Sequence, residues 1–323
     1  MIITKTPLRA SFTGGGTDIA DFYANHGGGA VVSSAINKYM YITVNPKFDS
    51  KIRISYSKTE IVDTVDELNH EIAKAALKMA GIKGGIEITS IADIPAGTGL
   101  GSSSTFTVGL LNALYTYAGR VLSPAEMAEK ACQIEIDILG HPIGKQDQYA
   151  AAFGGLNHFA FNPDGTVSRT QIVLSDSDRR MMSSKLMFFY TGITRSADNI
   201  LSEQKANIPD KAKILVKMKL QADSMRNRLM TEGFTKEFGM MLHKSWLYKK
   251  NLASNVTDSQ ISEYYDKALE AGAVGGKILG AGGGGFLLFY CDEWLQPNVE
   301  EALGLRRMDF RFTKNGSRVI FSS

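Results

Sequence analysis

Only two cysteines, Cys132 and Cys291, occur in the 323 residues. They lie far apart and join no Cys-x-x-Cys or Cys/His cluster, which argues against a disulfide framework and a structural zinc site. No apolar run approaches the roughly 20 residues of a membrane span, and the opening MIITKTPLRASFTGGG lacks the apolar core of a secretory signal. Charge of one sign is also scarce. Thirty-six Lys+Arg against 33 Asp+Glu leave +3, too weak a field to argue for nucleic acid or a membrane surface. No repeat of fixed period and no low-complexity linker interrupts the chain. The expectation is a soluble cytoplasmic protein of about two domains.

Glycine, by contrast, is abundant, with 32 residues. Many fall in four clusters: Gly14 to Gly16, Gly27 to Gly29, Gly97-Thr98-Gly99-Leu100-Gly101, and Gly280 to Gly285. Such clusters serve tight turns, or loops where a ligand must approach the backbone closely. Between them, residues 2–13, 30–44, 84–91, 155–161 and 167–174 read as strands. Residues 66–80, 102–118 and 124–139 read as helices, the last opened by Ser123-Pro124 as N-cap and first turn. A polar run around 176–184 marks the expected boundary, dividing the chain into 1–180 and 181–323. Beyond it, helices are predicted at 194–204, 211–230, 236–252, 258–270 and 293–303. Strands are predicted at 186–190, 273–279, 285–290, 306–312 and 317–321. The whole is an α+β chain of two closely joined domains.

The most informative segment is Pro95-Ala-Gly97-Thr-Gly99-Leu100-Gly101-Ser102-Ser103-Ser104, placed between a strand and a helix. A helix N-terminus offers unpaired N–H groups and about half a positive charge, which suits a phosphate. The glycines let the backbone wrap the anion, and the hydroxyls add donors or reach a metal; a serine-rich cap on an ordinary helix is the plainer reading. It is not a GxxxxGK[ST] loop, since no lysine adjoins the hydroxyls. Gly280 to Gly285 matches GxGxxG in form, but Phe286 to Tyr290 reads as a strand where a dinucleotide fold requires a helix. A hairpin lining a cleft fits better.

Three carboxylates stand out. Glu135 falls on the apolar stripe of Ala128, Ala131, Ile134 and Ile138, where a charge needs a partner, a hydrogen bond or a cation; a salt bridge or a magnesium ion would serve. Asp147 follows Gly140-His-Pro-Ile-Gly144 and opens an alanine-rich run, as a cap or as a working group. Asp18 and Arg9 bracket the first glycine turn, a pattern that holds polyol hydroxyls or simply turns at the surface.

Taken together these residues resemble the GHMP family of small-molecule kinases. Its three motifs occur in order, from Pro7-Leu-Arg9 through Asp18, from Pro95 through Ser104, and from Lys277 through Gly285. The stretches PLRASFTGGGTD, IPAGTGLGSSST, GKQDQYAAAFGG and YTGITRSADNILSEQ are similar to bacterial family members that phosphorylate D-glycero-D-manno-heptose 7-phosphate at C1. The resemblance implies an N-terminal domain like ribosomal protein S5 domain 2, a ferredoxin-like C-terminal domain, and ATP meeting sugar between them. It implies that Pro95, Gly97, Gly99, Leu100, Gly101 and Ser102 to Ser104 hold the ATP phosphates, and that Ser103 and Glu135 hold Mg²⁺. Asp147 falls at the catalytic aspartate and Arg9 near a basic residue beside the transferred phosphate. Gly144-Lys-Gln-Asp147 is one residue longer than the Gly-Val-Asp of mevalonate kinases, so that match rests on the heptose-kinase-like pattern. Asp18, with Gly15, Gly16 and Thr17, matches a sugar-contacting position, and Gly283 and Gly284 are expected to face the substrate. A distal phosphate would need a cation: Arg195, at a predicted helix start, or else Lys38, each otherwise a solvated surface charge. A fucose- or galactose-type sugar kinase, a decarboxylase of the same fold and a non-catalytic sugar sensor are the competing readings.

Overall fold

A computed structural model describes residues 1–193 and 197–323 of the chain. The first sheet contains β1 (Ile2–Thr13), β2 (Gly29–Pro46), β3 (Ile52–Ser55), β4 (Thr59–Val62), β5 (Ile86–Ala92), β6 (Leu156–Phe161) and β7 (Val167–Gln171). The second contains β8 (Leu186–Tyr190), β9 (Gly275–Ile278), β10 (Phe286–Tyr290) and β11 (Arg306–Met308). The last strand, β12 (Arg318–Ser322), returns to pair antiparallel with β1, so the first sheet runs β12-β1-β2-β5-β3-β4 with β6 and β7 beside β2.

The helices are α1 (Ala20–Tyr23), α2 (Glu71–Ala80), α3 (Ser102–Tyr117), α4 (Pro124–Cys132), α5 (Gln146–Phe153) and α6 (Asp176–Lys185), then α7 (Ala197–Ala206), α8 (Ile208–Thr231), α9 (Lys236–Lys249), α10 (Ser259–Glu270) and α11 (Gln296–Leu303). The polar run expected to mark the boundary is itself helical, as α6, capped by Ser175. The second sheet has the spatial order β11-β8-β10-β9. With helices between β8 and β9 and between β10 and β11, this is the βαββαβ arrangement of a ferredoxin-like unit.

β2 organises the first sheet. Its first half pairs with β6 and its second half with β5, while β1 runs along both. The β1–β2 register shifts between Pro7 and Arg9: Pro7 faces Tyr39 and Arg9 faces Ala35, so Ile36 to Lys38 bulge opposite Leu8 alone. Bulges bend a strand and re-aim its side chains. Here Leu8, Ala10 and Phe12 enter the core, while the alternate residues Arg9 and Ser11 line a cavity.

One face of the first sheet packs on α2, α3, α4 and α5 through Ile42, Val44, Ala76, Leu110, Leu114 and Ala151. A second cluster joins the two halves, with Leu8 and Phe12 from β1 packed among Phe188, Phe238 and Phe286. Phe12 meets Phe238 edge-on at 5.1 Å between ring centroids. Both cysteines are buried and free. On α8 and α9, Met218 and Met225 are core, whereas Met230 and Met240 are exposed. Among the described residues no helix is long and apolar enough to cross a membrane.

Two sequence expectations need correction here. The helix predicted over 124–139 is α-helical only to Cys132; Gln133–Ile138 form a π turn, closed by the Leu139 N–H donating to the Ile134 carbonyl at 3.0 Å. The extra residue rotates the stripe, so Ile138 points outward, 54% exposed, and Leu139 packs on the core instead. Thr17, expected at the sugar, is wholly buried beneath the first glycine turn. Its hydroxyl lies 2.7 Å from the Gly14 carbonyl and 2.9 Å from that of Ala30, and it accepts the Ala30 N–H at 3.0 Å.

Thr17→Val should therefore act on stability, because it strands the buried Ala30 N–H at a cost of about 1–3 kcal/mol. Urea unfolding checks this; an unchanged midpoint would show that the turn does not depend on the hydroxyl.

Candidate active site

The segment 95–104 folds as a loop leading into α3, with Gly101 as N-cap. Gly99 and Gly101 have φ of +80° and +79°, a region that side chains avoid. Space excludes a side chain as well. A Cβ on Gly99 would overlap the Leu279 backbone, and one on Gly101 would stand 3.2 Å from Asp147 Oδ2 and 3.3 Å from Arg9 Cγ. The loop is thus pressed between the β9–β10 turn and the side chains beneath it. Beside it opens a cavity of about 850 Å³, within the size range of ligand sites. Pro95, Gly97, Gly99, Gly101 and Ser102 to Ser104 line it. Leu100 does not: it is buried in the core that joins the halves, and only its carbonyl works here, accepting the Arg9 N–H at 3.1 Å.

Arg9 and Asp147 form a two-pronged ion pair, with Nε on Oδ1 and Nη2 on Oδ2, each at 2.7 Å. Arg9 Nη1 also donates to the Gly99 carbonyl at 2.7 Å. The Arg9 side chain is 4% exposed and that of Asp147 22%, the latter open to the cavity. Asp18 lies close by, accepting the Gly16 N–H at 2.8 Å and the Gln146 N–H at 3.1 Å. Its full burial, reinforced by the charge of Asp147, makes this carboxyl hold its proton more tightly than usual. Gly15 and Gly16 line the same wall.

Glu135 is completely buried directly behind Ser103. Ser103 Oγ donates to Oε1 at 2.9 Å and Gln148 Nε2 donates to Oε2 at 2.8 Å. Burial outweighs these bonds and raises the carboxyl's affinity for a proton. Two neighbouring oxygens, Ser102 Oγ and Gln148 Oε1, are buried without a hydrogen-bond partner. Carboxylate, hydroxyl and amide oxygens are the hard donors that a magnesium ion takes, so the residues present fit one. Among the described residues no group of three His, Cys, Asp or Glu side chains forms a self-sufficient cage.

At the other end the cavity is aromatic: the His70 ring stacks on Phe106 at 4.9 Å, with Tyr56 edge-on to it at 4.6 Å. Desolvation lowers the basicity of His70, which suits it to a planar, uncharged neighbour.

Several expected contacts fall elsewhere. Gly283 and Gly284 do not line the cavity; the Gly283 N–H donates to the Val256 carbonyl, and Gly284 packs on Ile193. Gly280 and Ala281 face it instead. Lys38 lies in the β2 bulge away from the lining, because the register shift carries it out of the alternation that aims Arg9 and Ser11 inward. Arg195 lies outside the described residues. Two lysines without an expected site role, Lys249 and the Lys277 that opens the third motif, do line the cavity. Lys249 ends α9 and bonds the Gly280 carbonyl; Lys277, on β9, bonds the Phe12 carbonyl at 3.1 Å. A signal existed for the first, since Lys249 continues the buried stripe of Phe238, Leu242 and Trp246.

A glycine–serine loop at a helix N-terminus, a guanidinium–carboxylate pair and an aromatic cluster share one cavity between two α+β units, an arrangement that suits a small-molecule phosphotransferase. Comparison with known proteins agrees. Residues 65–155 match the model for the GHMP kinases N terminal domain, and residues 228–307 the model for GHMP kinases C terminal. The chain is 31% identical to the D-glycero-alpha-D-manno-heptose 7-phosphate kinase of Campylobacter jejuni, over 98% of this chain and 97% of that one. It is 30% identical, over 88% of its length, to the L-fucokinase/L-fucose-1-P guanylyltransferase of Bacteroides fragilis, of which it spans 34%. A solved D-glycero-D-manno-heptose 1-phosphate kinase from Bacteroides thetaiotaomicron superposes over the full length of both chains, with a TM-score of 0.82 at 26% identity. The chain belongs to the GHMP kinase family, whose members use ATP, and is a sugar kinase with the two-domain fold of that family.

Glu135→Gln tests the buried carboxylate. A carboxyl that binds its proton more tightly when folded is harmless below its unfolded pKa, and its ionisation weakens the fold as pH rises through the folded value. Gln148 can turn its unpartnered Oε1 to accept from the new amide. The stability of Glu135→Gln relative to the parent should therefore rise between pH 4 and pH 7 in ligand-free protein, measured by urea unfolding. An equal deficit at both pH values would remove the electrostatic explanation.

Proposed function

We propose that this protein transfers the γ-phosphoryl group of ATP to the C1 hydroxyl of D-glycero-D-manno-heptose 7-phosphate, giving the 1,7-bisphosphate and ADP for nucleotide-activated heptose and surface-glycan synthesis. The observation that carries this reading is the convergence of Arg9, Asp18 and Asp147 on the serine-opened helix, in a chain similar end to end to a heptose 7-phosphate kinase. The cofactor assignment is ATP with Mg²⁺. Adenine would lie in the aromatic slot of Tyr56, His70 and Phe106, and the polyphosphate would lie along Gly97 to Ser104.

Phosphoryl transfer through a loose transition state asks for alignment and charge neutralisation more than for covalent chemistry. The bidentate grip of Arg9 leaves Asp147 lone pairs facing the cavity, so Asp147 orients the C1 hydroxyl and accepts its proton. The C1 oxygen bonds to the γ-phosphorus as the bond to the β–γ bridging oxygen breaks, and ADP departs with that electron pair. Arg9 faces the charge that develops. Asp18, fixed by two backbone N–H groups, is placed to hold sugar hydroxyls. When bound, Mg²⁺ would neutralise β- and γ-phosphate charge, and Ser103 with Glu135 are the side chains fitted to hold it. The division at 1–180 and 181–323, a cytoplasmic location and a homodimer belong to the same proposal, as does Arg195 as the cation for the 7-phosphate.

A second reading, an L-fucose-type sugar 1-kinase, draws on the similarity to the Bacteroides fragilis fucokinase. ADP release over a panel of sugars and sugar phosphates separates the two. Heptose 7-phosphate should give the highest kcat/KM, well above the unphosphorylated heptose and L-fucose; equal use of phosphorylated and unphosphorylated heptose would reject the assignment. Asp147→Ala should keep ADP binding and lose about 10²–10⁴-fold in kcat, the usual contribution of a positioned acid–base group. Full turnover in folded Asp147→Ala protein would remove Asp147 from its role.

A further inference from the structure

Three cations reach the inner wall of the cavity: Arg9 from β1, Lys277 from β9 and Lys249 from the end of α9. Their partners differ. Arg9 is matched by Asp147, whereas among the described residues neither lysine forms an ion pair with a carboxylate. Lys249 is 7% exposed, and its ammonium donates to the Gly280 carbonyl. Gly280 lies back to back with Gly99 of the phosphate loop, so close that a Cβ on Gly280 would overlap the Gly99 backbone and one on Gly99 would overlap that of the adjoining Leu279. The Gly99 carbonyl in turn accepts from Arg9. Arg9 and Lys249 therefore hold the two sides of one seam, where the loop that cradles phosphates meets the β9–β10 turn.

That placement creates an electrostatic demand. A transferring phosphoryl group at this seam meets the carboxylates of Asp147 and Asp18, while the charge of Arg9 is already balanced by Asp147. A further positive group is needed, and a buried ammonium is costly until an anion arrives. We infer that Lys249 binds the oxygens of the transferring phosphoryl group, as a second cation beside Arg9 that the C-terminal half of the chain contributes to the reaction centre. This rests on the phosphotransferase reading of the cavity and deepens it. The surroundings agree. Burial, and after it the charge of Arg9, bring the Lys249 pKa down to about 7, with Asp147 and Asp18 opposing the fall. Burial, and after it the charges of Lys249 and Arg9, likewise push the Lys277 ammonium well below its usual range. An arriving polyanion would draw a proton onto Lys249 and gain a full charge where the empty protein carries part of one. Position also argues against the acceptor's 7-phosphate as the partner, since the groups that face Lys249 are those proposed to work at C1.

Lys249→Met preserves length and burial while removing the charge. Titration calorimetry with ADP and with a non-hydrolysable ATP analogue, in Mg²⁺ and without sugar, reads the effect directly. ADP affinity should stay within about 3-fold, analogue affinity should fall 10-fold or more, and kcat should drop about 10²–10³-fold, the scale of losing one preorganised charge-stabilising group. A second measurement needs no variant: at pH 8 the parent protein should take up protons on binding the analogue and not on binding ADP, read from buffers of different ionisation enthalpy. An analogue affinity unchanged in Lys249→Met, absence of proton uptake in the parent, or a rise confined to KM for the phosphorylated acceptor would each overturn the inference. The binding arms contain no sugar, so a wrong acceptor assignment in the preceding section leaves them readable.

Discussion

The paired hydrogen bonds between Arg9 and Asp147 are the constraint on which the site depends. They join the first strand to the start of α5, and through Nη1 and the main-chain N–H of Arg9 they also fix Gly99 and Leu100 of the phosphate loop. A planar guanidinium allows little rotational freedom in such a pair. The direction in which Asp147 presents its remaining lone pairs is therefore set by β1. Lysine at position 9 could supply the charge but not both contacts and the carbonyl bond together. Removing Asp147 leaves the buried Arg9 guanidinium without its counter-charge, a loss whose upper bound is about 3–5 kcal/mol.

Charge burial recurs around that pair with a consistent sense. Glu135 and Asp18 are carboxyls that burial makes reluctant to ionise, and Lys249 is an ammonium that burial makes ready to lose its proton. None is comfortable in the ligand-free protein. On the proposed function, a metal–nucleotide complex and a polyhydroxylated acceptor would stabilise each of these groups, and part of the binding free energy would be relief of strain already present in the fold. The same reasoning explains the unpartnered Ser102 and Gln148 oxygens, which would otherwise be defects in a well-packed wall.

Much of this was legible in the sequence because it depends on local rules. The glycine–serine loop before a helix, the Ser123 cap and the carboxylate set into an apolar stripe all follow from spacing alone. The failures share a cause: register. A bulge in the β1–β2 ladder removes Lys38 from the cavity, and a π turn exchanges Ile138 for Leu139. Both shift the chain by residues that periodicity cannot count. Thr17 misled for a different reason, since a hydroxyl beside a glycine turn can face a ligand or satisfy the turn, and only the position of Ala30 decides. Lys249 was accessible by the argument applied to Glu135, a charge on an apolar face, but its cavity is formed by glycines 31 and 150 residues away in the chain, at Gly280 and Gly99.

The glycine seam bears on how the two halves cooperate. A cleft between independently packed domains would have to assemble its site at each turnover. Here Leu8 and Phe12, which flank Arg9 on β1, are packed among Phe188, Phe238 and Phe286 of the second half. The strand that supplies the Arg9 guanidinium is therefore part of the interdomain core, and β12 returns from the far end of the chain to pair with that same strand. Gly99 against Gly280 continues the contact to the cavity's edge, at a distance that only two backbones without side chains permit. Cavity-lining groups from both halves are thus held before any ligand arrives, which reduces the entropy that binding must otherwise supply for alignment.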